Sequence, residues 1–64
     1  MSKPTWDEAP DGFDWLAMDD DGRWVWFRKA PRLDDGGWMP IDGVWKTHRT
    51  KRSDPGAPYL EPRP

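Results

Sequence analysis

An acidic run at residues 19–21, followed by Gly22, is the part of the sequence that most suggests metal chemistry. Carboxylates spaced along a glycine-containing loop coordinate Ca²⁺ in EF-hand proteins. A loop whose acidic run ends at Gly22 needs an oxygen ligand at position 17 and a glutamate at position 28, where this chain has Ala17 and Arg28. The run is therefore interpreted as a solvated turn, and neither a metal nor another cofactor is predicted.

His48 and the acidic residues are the candidates for a catalytic role. His48 is the only histidine, and no cysteine, second histidine or Ser/Asp arrangement accompanies it as a base or ligand. Paired carboxylates can carry out acid–base catalysis, but nearly all of the acidic residues here fall in predicted turns or at strand ends. The sequence therefore predicts a protein that is not an enzyme.

Basic residues cluster in the segment 46–52, and clusters of this kind can lie along phosphates. Residues 23–28 interleave aromatic side chains with arginine, as platforms for single-stranded nucleic acid do. An ordinary basic tail and an aromatic core explain the same two patterns. Nucleic-acid binding is thus an alternative hypothesis, with the candidate residues Lys46, His48, Arg49, Lys51 and Arg52.

The composition of the 64-residue chain allows one small domain. Only 34% of the residues are apolar and the mean hydropathy is −1.10, values that by themselves suggest disorder. The six tryptophans argue for a folded core, because each ring can bury on the order of 150–250 Å². We expect a flexible N-terminus at 1–5, a Trp-rich β domain at 6–48, and a disordered Pro-rich, basic tail at 49–64.

Charge is distributed unevenly along the chain. Residues 1–22 contain seven acidic residues and one lysine, a net charge of −6, whereas residues 46–64 contain five basic and two acidic residues, a net charge of +3. This asymmetry is compatible with an interaction tail. No signal sequence or membrane-length apolar run is present, so a cytoplasmic protein without membrane contact is expected.

Local patterns predict a capped helical turn followed by a hairpin. Thr5 and Glu8 have the spacing of a capping box. The segments 13–19 and 23–29 are predicted strands, joined by a three-residue loop with Gly22 in the left-handed conformation. This loop places Asp19 opposite Arg23, and it sets the further pairs Met18–Trp24, Ala17–Val25, Leu16–Trp26 and Trp15–Phe27.

The predicted register gives the hairpin two apolar faces. Trp15, Ala17, Val25 and Phe27 form one of them, which we expect to be the core. The opposite face is expected to be an exposed binding surface for a protein partner. Its candidate residues are Leu16, Met18, Trp24, Trp26 and Arg28.

Two further strands are predicted downstream. Residues 38–41 form a short third strand that Pro40 restricts to an edge position. Asp42 and Gly43 form a favourable two-residue hairpin turn, which leads to a fourth strand at 44–48 with Trp45 beside Pro40. The expected fold is all-β, a small antiparallel meander of three or four strands.

The chain resembles small uncharacterised proteins of tailed bacteriophages and prophages in three segments, which are Trp6–Pro10, Trp15–Asp19 and Asp21–Phe27. The resemblance covers roughly residues 6–40 and rests on the spacing of Trp, Ala-Pro and Asp-x-Asp-Gly. It implies a phage-encoded accessory protein in a bacterial host. No activity accompanies the resemblance.

A second resemblance is to the WW domain, on Pro10-x-Gly12-Phe13, Gly22-Arg-x-Val-Trp26 and Trp38-x-Pro40. It implies that Trp26 and Trp38 form a groove for Pro-rich ligands. Taken together, the sequence predicts a non-catalytic binding protein, either a monomer or a weak dimer. Its partner is a host or phage protein, with nucleic acid or a Pro-rich peptide as the alternatives.

Overall fold

Short antiparallel strands make up the fold, as the sequence predicts. The computed structural model describes residues 3–35, 37–52 and 56–64, the side chains of residues 49–52 excepted. One 3₁₀ turn at Trp6–Glu8 precedes the strands, and the Thr5 backbone N–H donates to the Glu8 carboxylate at 2.8 Å. The strands are β1 (Trp15–Met18), β2 (Arg23–Phe27), β3 (Arg32–Asp34), β4 (Gly37–Met39), β5 (Trp45–Arg52) and β6 (Tyr59–Pro62).

The β1–β2 hairpin has the register that the sequence predicts. Trp15 pairs with Phe27 and Met18 pairs with Trp24, with the two intermediate pairs in step. Gly22 has φ +91° and donates its N–H to the Asp19 carbonyl at 3.0 Å. A left-handed glycine closes this turn without steric cost, so the residues of the turn determine the pairing of both strands.

The downstream strands pair differently from the prediction. β4 pairs with β3, for which the sequence predicts no strand, and β5 pairs with β2. The predicted hairpin of residues 38–41 with 44–48 is therefore wrong. Pro40 directly follows β4 and has no N–H to donate, so the ladder ends at Met39 and the chain is free to leave for another sheet.

The larger sheet has the strand order β5-β2-β1-β6, with every neighbouring pair antiparallel. This is the spatial order of a Greek key, with the β3–β4 hairpin inserted in the connection between β2 and β5. The chain must then cross from one edge of the sheet to the other. On this crossing Gly56 donates its N–H to the Asp20 carbonyl at 3.1 Å, beside the β1–β2 turn.

Residues 49–64 were expected to be a disordered tail, but β5 extends to Arg52 and β6 spans Tyr59–Pro62; residues 53–55 lie outside the described residues. Residues 49–52 continue β5, and β6 pairs with β1, placing Leu60 opposite Ala17 and Glu61 opposite Leu16. β6 occupies the edge of β1 that β2 leaves free, and the local amino-acid pattern of residues 59–62 does not indicate this pairing. Backbone hydrogen bonds, rather than a long apolar stretch, hold β6 in place.

Residues 1–5 were expected to be flexible; residues 1 and 2 lie outside the described residues, but Pro4 is fully buried and Lys3 pairs with Glu61. The side chain of Glu61 is only 17% exposed, and it also accepts hydrogen bonds from Trp6 Nε1 and the Tyr59 hydroxyl, both at 2.6 Å. Burial works to raise the pKa of Glu61, but the hydrogen bonds from Lys3, Tyr59 and Trp6 outweigh it and hold the pKa below its ordinary value. One carboxylate thus joins both ends of the chain.

Both faces of the large sheet contribute to the core, to different extents. Leu16, Met18, Trp24 and Trp26 are buried beneath Trp6, Ala9 and Phe13 of the N-terminal segment. Ala17, Val25 and Phe27 are buried on the opposite face, where Trp15, Trp38 and Leu60 pack against them. The second face has a smaller cover, and part of it borders a groove.

Candidate binding groove

A groove of about 310 Å³ lies between the second face of the sheet and the β3–β4 hairpin. We call it the Trp38–Trp45 groove, after the two indoles that line it. Both strands of the β2–β5 pair and the end of β4 contribute to it. The lining residues are Asp19, Arg23, Val25, Phe27, Trp38, Met39, Pro40, Trp45 and Thr47.

Trp38 is held in place by two hydrogen bonds to the end of β1. Its backbone N–H donates to Asp19 Oδ1 at 3.0 Å, and its indole Nε1 donates to the Met18 carbonyl at 3.0 Å. The ring also packs against the cluster that contains Phe27. Because a two-stranded hairpin is marginally stable alone, these contacts position the β3–β4 hairpin as one wall of the groove.

Trp45 forms the opposite side of the groove and is 55% exposed. The register of β5 with β2 places Trp45 opposite Phe27 and Thr47 opposite Val25, on the face that the N-terminal segment does not cover. Met39, at the end of β4, is 53% exposed and lines the same groove. Large apolar side chains that converge on one concavity and remain half exposed are typical of binding surfaces.

The polar end of the groove lies beside the β1–β2 turn. Asp19 closes that turn by donating its backbone N–H to the Arg23 carbonyl at 3.0 Å, and both side chains line the groove. The Asp19 carboxylate is already hydrogen-bonded to Trp38, whereas the Arg23 side chain is exposed. The groove therefore combines apolar walls with a cationic group at one end.

The face predicted to bind a partner is buried, and its assignment as an exposed surface is wrong. Leu16 and Trp26 are 0% and 2% exposed, and Met18 and Trp24 are buried as well. The cause is the N-terminal segment, whose Trp6 ring lies 5.1 Å from the Trp26 ring between centroids. Ala17, Val25 and Phe27 of the other face are buried as predicted, so both faces of the hairpin are covered.

Arg28, the fifth residue of the predicted binding surface, lies outside the groove lining. It is exposed, and its Nε donates to Asp42 Oδ2 at 2.9 Å. Desolvation acts to raise the pKa of Asp42, but hydrogen bonds from the Val44 N–H and from Arg28 outweigh it and lower that pKa. Arg28 thus holds the loop that leads to Trp45, and it does not join the other four residues.

The basic cluster proposed for nucleic acid lies on β5. Lys46 is exposed, while His48 Nε2 lies 3.0 Å from Glu8 Oε1 and has a side chain only 11% exposed. The side chains of Arg49, Lys51 and Arg52 lie outside the part of the chain that the structure describes. Lys46 and His48 therefore belong to the face covered by the N-terminal segment, and Trp45 and Thr47 belong to the groove face.

The sequence predicts that Trp45 lies beside Pro40, but its patterns assign neither of them to a site. They also do not identify Arg23, Met39 or Thr47 as site residues. The alternation of Trp45 and Thr47 with polar residues was an available signal. Without the pairing of β5 with β2, that alternation does not reveal which surface the two residues share. The groove residues come from β2, from β5, from the end of the β3–β4 hairpin and from the β1–β2 turn, which only the tertiary structure brings together.

In the described ranges 3–35, 37–52 and 56–64, no group of three or more His, Cys, Asp or Glu side chains is arranged to hold a metal ion. The same residues include no helix that is long and apolar enough to cross a membrane.

No protein-family model matches this chain, and comparisons with curated proteins and with solved structures found no similar protein. The resemblances to phage proteins and to the WW domain stay predictions. Trp26, which the WW resemblance assigns to a ligand groove, is 2% exposed, whereas Trp38 does line a groove.

Proposed function

We propose that this protein is a non-catalytic interaction module, which holds an extended segment of a partner protein in the Trp38–Trp45 groove. A cytoplasmic location in a bacterial host, and a phage origin, belong to the same proposal. The observation that carries it is the half-exposed Trp45 beside a concavity whose other wall contains Trp38 and Pro40.

The chemistry of the lining supports a peptide ligand. Indole rings provide a large contact area with few rotatable bonds, so burying them on binding costs little conformational entropy. Trp38 is already held by two hydrogen bonds, which makes one wall of the site preformed. Extended chain segments fit a groove whose floor is the face of two paired strands, because alternate side chains can point into it.

The groove also favours proline-rich segments among extended ligands, as the hypothesis of a Pro-rich ligand requires. Aromatic-lined grooves bind polyproline II segments, which lose little entropy on binding. Here the aromatic pair is Trp38 with Trp45, and not Trp38 with the buried Trp26. A proline-rich consensus among selected ligands would identify this form of the proposed function.

Selection of ligands from a displayed library of random peptides tests the proposal. Peptides enriched on the wild-type protein are then measured against Trp45→Ser and against Ile41→Ser, each peptide by fluorescence anisotropy. Ile41 is the matched control, since it is 61% exposed but does not line the groove. We expect Trp45→Ser to weaken binding by about tenfold or more and Ile41→Ser to leave it unchanged.

Two outcomes would contradict the proposal. In one, no peptide is enriched above background. In the other, enriched peptides bind Trp45→Ser as tightly as they bind the wild type. Circular dichroism of Trp45→Ser must show that this variant is folded. Trp38→Ala, which changes the opposite wall of the groove, provides an independent second variant.

A further inference from the structure

Three lysine and arginine residues of the described chain form ion pairs with carboxylates, and Arg23 does not. Lys3, Arg28 and Arg63 each pair with a carboxylate, those of Glu61, Asp42 and Asp14. Arg23 is exposed, lines the Trp38–Trp45 groove, and forms no ion pair with another residue of the described chain. Its guanidinium is therefore available to a ligand that occupies the groove.

The neighbouring strand β5 is rich in basic residues. β2 and β5 pair so that Arg52 lies opposite Arg23. The sequence of β5, from Trp45 to Arg52, contains four basic residues and no acidic residue.

Acidic residues limit the kind of anion that fits. Asp19 lines the groove beside Arg23, and Asp20 and Asp21 follow it in the β1–β2 turn. A polyphosphate chain passing this end would be repelled by the three consecutive aspartates, whereas one carboxylate reaching Arg23 from the groove would meet much less repulsion. The surroundings of Arg23 therefore favour an isolated carboxylate on an otherwise uncharged ligand over a nucleic acid.

We propose that the partner segment held in the groove carries one aspartate or glutamate side chain, which pairs with Arg23 while apolar side chains contact Trp38 and Trp45. This inference rests on the proposed function of the groove. A guanidinium and a carboxylate form a charge-assisted, directional pair, so Arg23 sets the register and orientation in which the segment lies.

Peptide arrays test this proposal directly. Each short peptide has an apolar central sequence and blocked termini. It is printed in three versions, which differ only in having glutamate, glutamine or lysine at one position. We expect the wild type to retain the best glutamate peptides about fivefold more than their lysine counterparts, with a smaller ratio at high salt. Arg23→Gln should bring the ratio close to one, whereas Arg23→Lys should retain it. Lys29→Gln, which removes an exposed positive charge outside the groove, should also leave it unchanged.

The outcomes separate this proposal from the function on which it rests. In one outcome, peptides bind the wild type but not Trp45→Ser, and the wild type retains the glutamate and lysine versions equally. This result would overturn the carboxylate proposal and would still support the proposed function of the groove. No retention of any peptide would overturn both. A short oligothymidylate that binds the wild type more tightly than the peptides, and is weakened by Arg23→Gln, would replace the carboxylate with phosphate and overturn the proposal.

Discussion

The indole Nε1 of Trp6 donates a 2.6 Å hydrogen bond to the Glu61 carboxylate, which lies 55 residues further along the chain. Trp6 covers the face that contains Trp26, and Glu61 lies on β6, opposite Leu16 of β1. The Arg63 guanidinium lies 5.1 Å from the centre of the Trp6 ring and also pairs with Asp14 at 3.1 Å. The two ends of the chain therefore form one cover over the more deeply buried face of the sheet.

Replacing Glu61 tests this joined cover through the pH dependence of stability. Because the pKa of Glu61 is lower when the protein is folded, its contribution is fully present above the ordinary pKa of 4.5 and is lost as the pH falls through the folded pKa. We expect Glu61→Gln to lower the free energy of unfolding at neutral pH by about 1–3 kcal/mol, since three hydrogen bonds lose their charged acceptor. Urea denaturation should show a smaller loss of stability on acidification in the variant than in the wild type. An equal loss of stability on acidification in the two proteins would contradict the prediction.

At alkaline pH, the same cluster should lose stability for a different reason. The hydrogen bond to Glu61 is the main cause that raises the pKa of Tyr59, and also the main cause that raises the pKa of Lys3. A raised folded pKa means that the stabilisation is complete below the ordinary values of 10.0 and 10.5 and is lost as the pH rises through the folded pKa of each group. Tyr59→Phe should reduce this alkaline loss. Thermal unfolding followed by circular dichroism across that range provides the measurement.

Removal of β6 should unfold the domain. A chain that ends at Gly56 lacks the backbone partners of β1 and the Leu60 side chain that packs on the cluster around Ala17. Arg63→Ala, which keeps β6, is the control and should remain folded. Amide dispersion in a ¹H–¹⁵N spectrum distinguishes the two. A truncated protein with a dispersed spectrum would show that the first five strands suffice.

Gly22 should resist substitution much more than Gly56. At φ +91° an added Cβ is strained, so Gly22→Ala should lower the free energy of unfolding by about 1–2 kcal/mol. Gly56 is a matched control, because a Cβ there would meet no atom within 4 Å and its φ lies outside the left-handed region. Gly56→Ala should therefore be nearly neutral in the same denaturant titration, and an equal effect of the two substitutions would contradict the proposed cause.

Substitution of Trp26 should affect folding, whereas substitution of Trp45 should affect binding alone. Trp26 is 2% exposed and in contact with Trp6, so Trp26→Ala should cost about 3–5 kcal/mol and unfold most of the protein. Trp45 is 55% exposed, so Trp45→Ser should leave the midpoint of thermal unfolding almost unchanged. A large loss of stability in Trp45→Ser would show that this residue belongs to the core and would remove its role as a binding residue.

Local sequence by itself determined the β1–β2 hairpin. Gly22 specifies the turn, and the turn specifies that Trp15 pairs with Phe27, because backbone geometry transmits the register from a loop into its two strands. The 3₁₀ turn was likewise predictable from Thr5 and Glu8, three residues apart. These features depend on contacts between residues close in the chain.

Only the tertiary structure decided which face of the hairpin is more deeply covered and what completes the sheet. Both faces are apolar, so the pattern around Trp24 and Trp26 cannot reveal that Trp6 covers them. The segment that forms β6 has no extended apolar pattern, and its pairing with β1 depends on a free backbone edge and on the contacts of Glu61. The groove depends on the same distant pairings, since β5 brings Trp45 opposite Phe27 while Pro40 ends the neighbouring hairpin. Such contacts join residues far apart in the chain, and local periodicity contains no information about which edges meet.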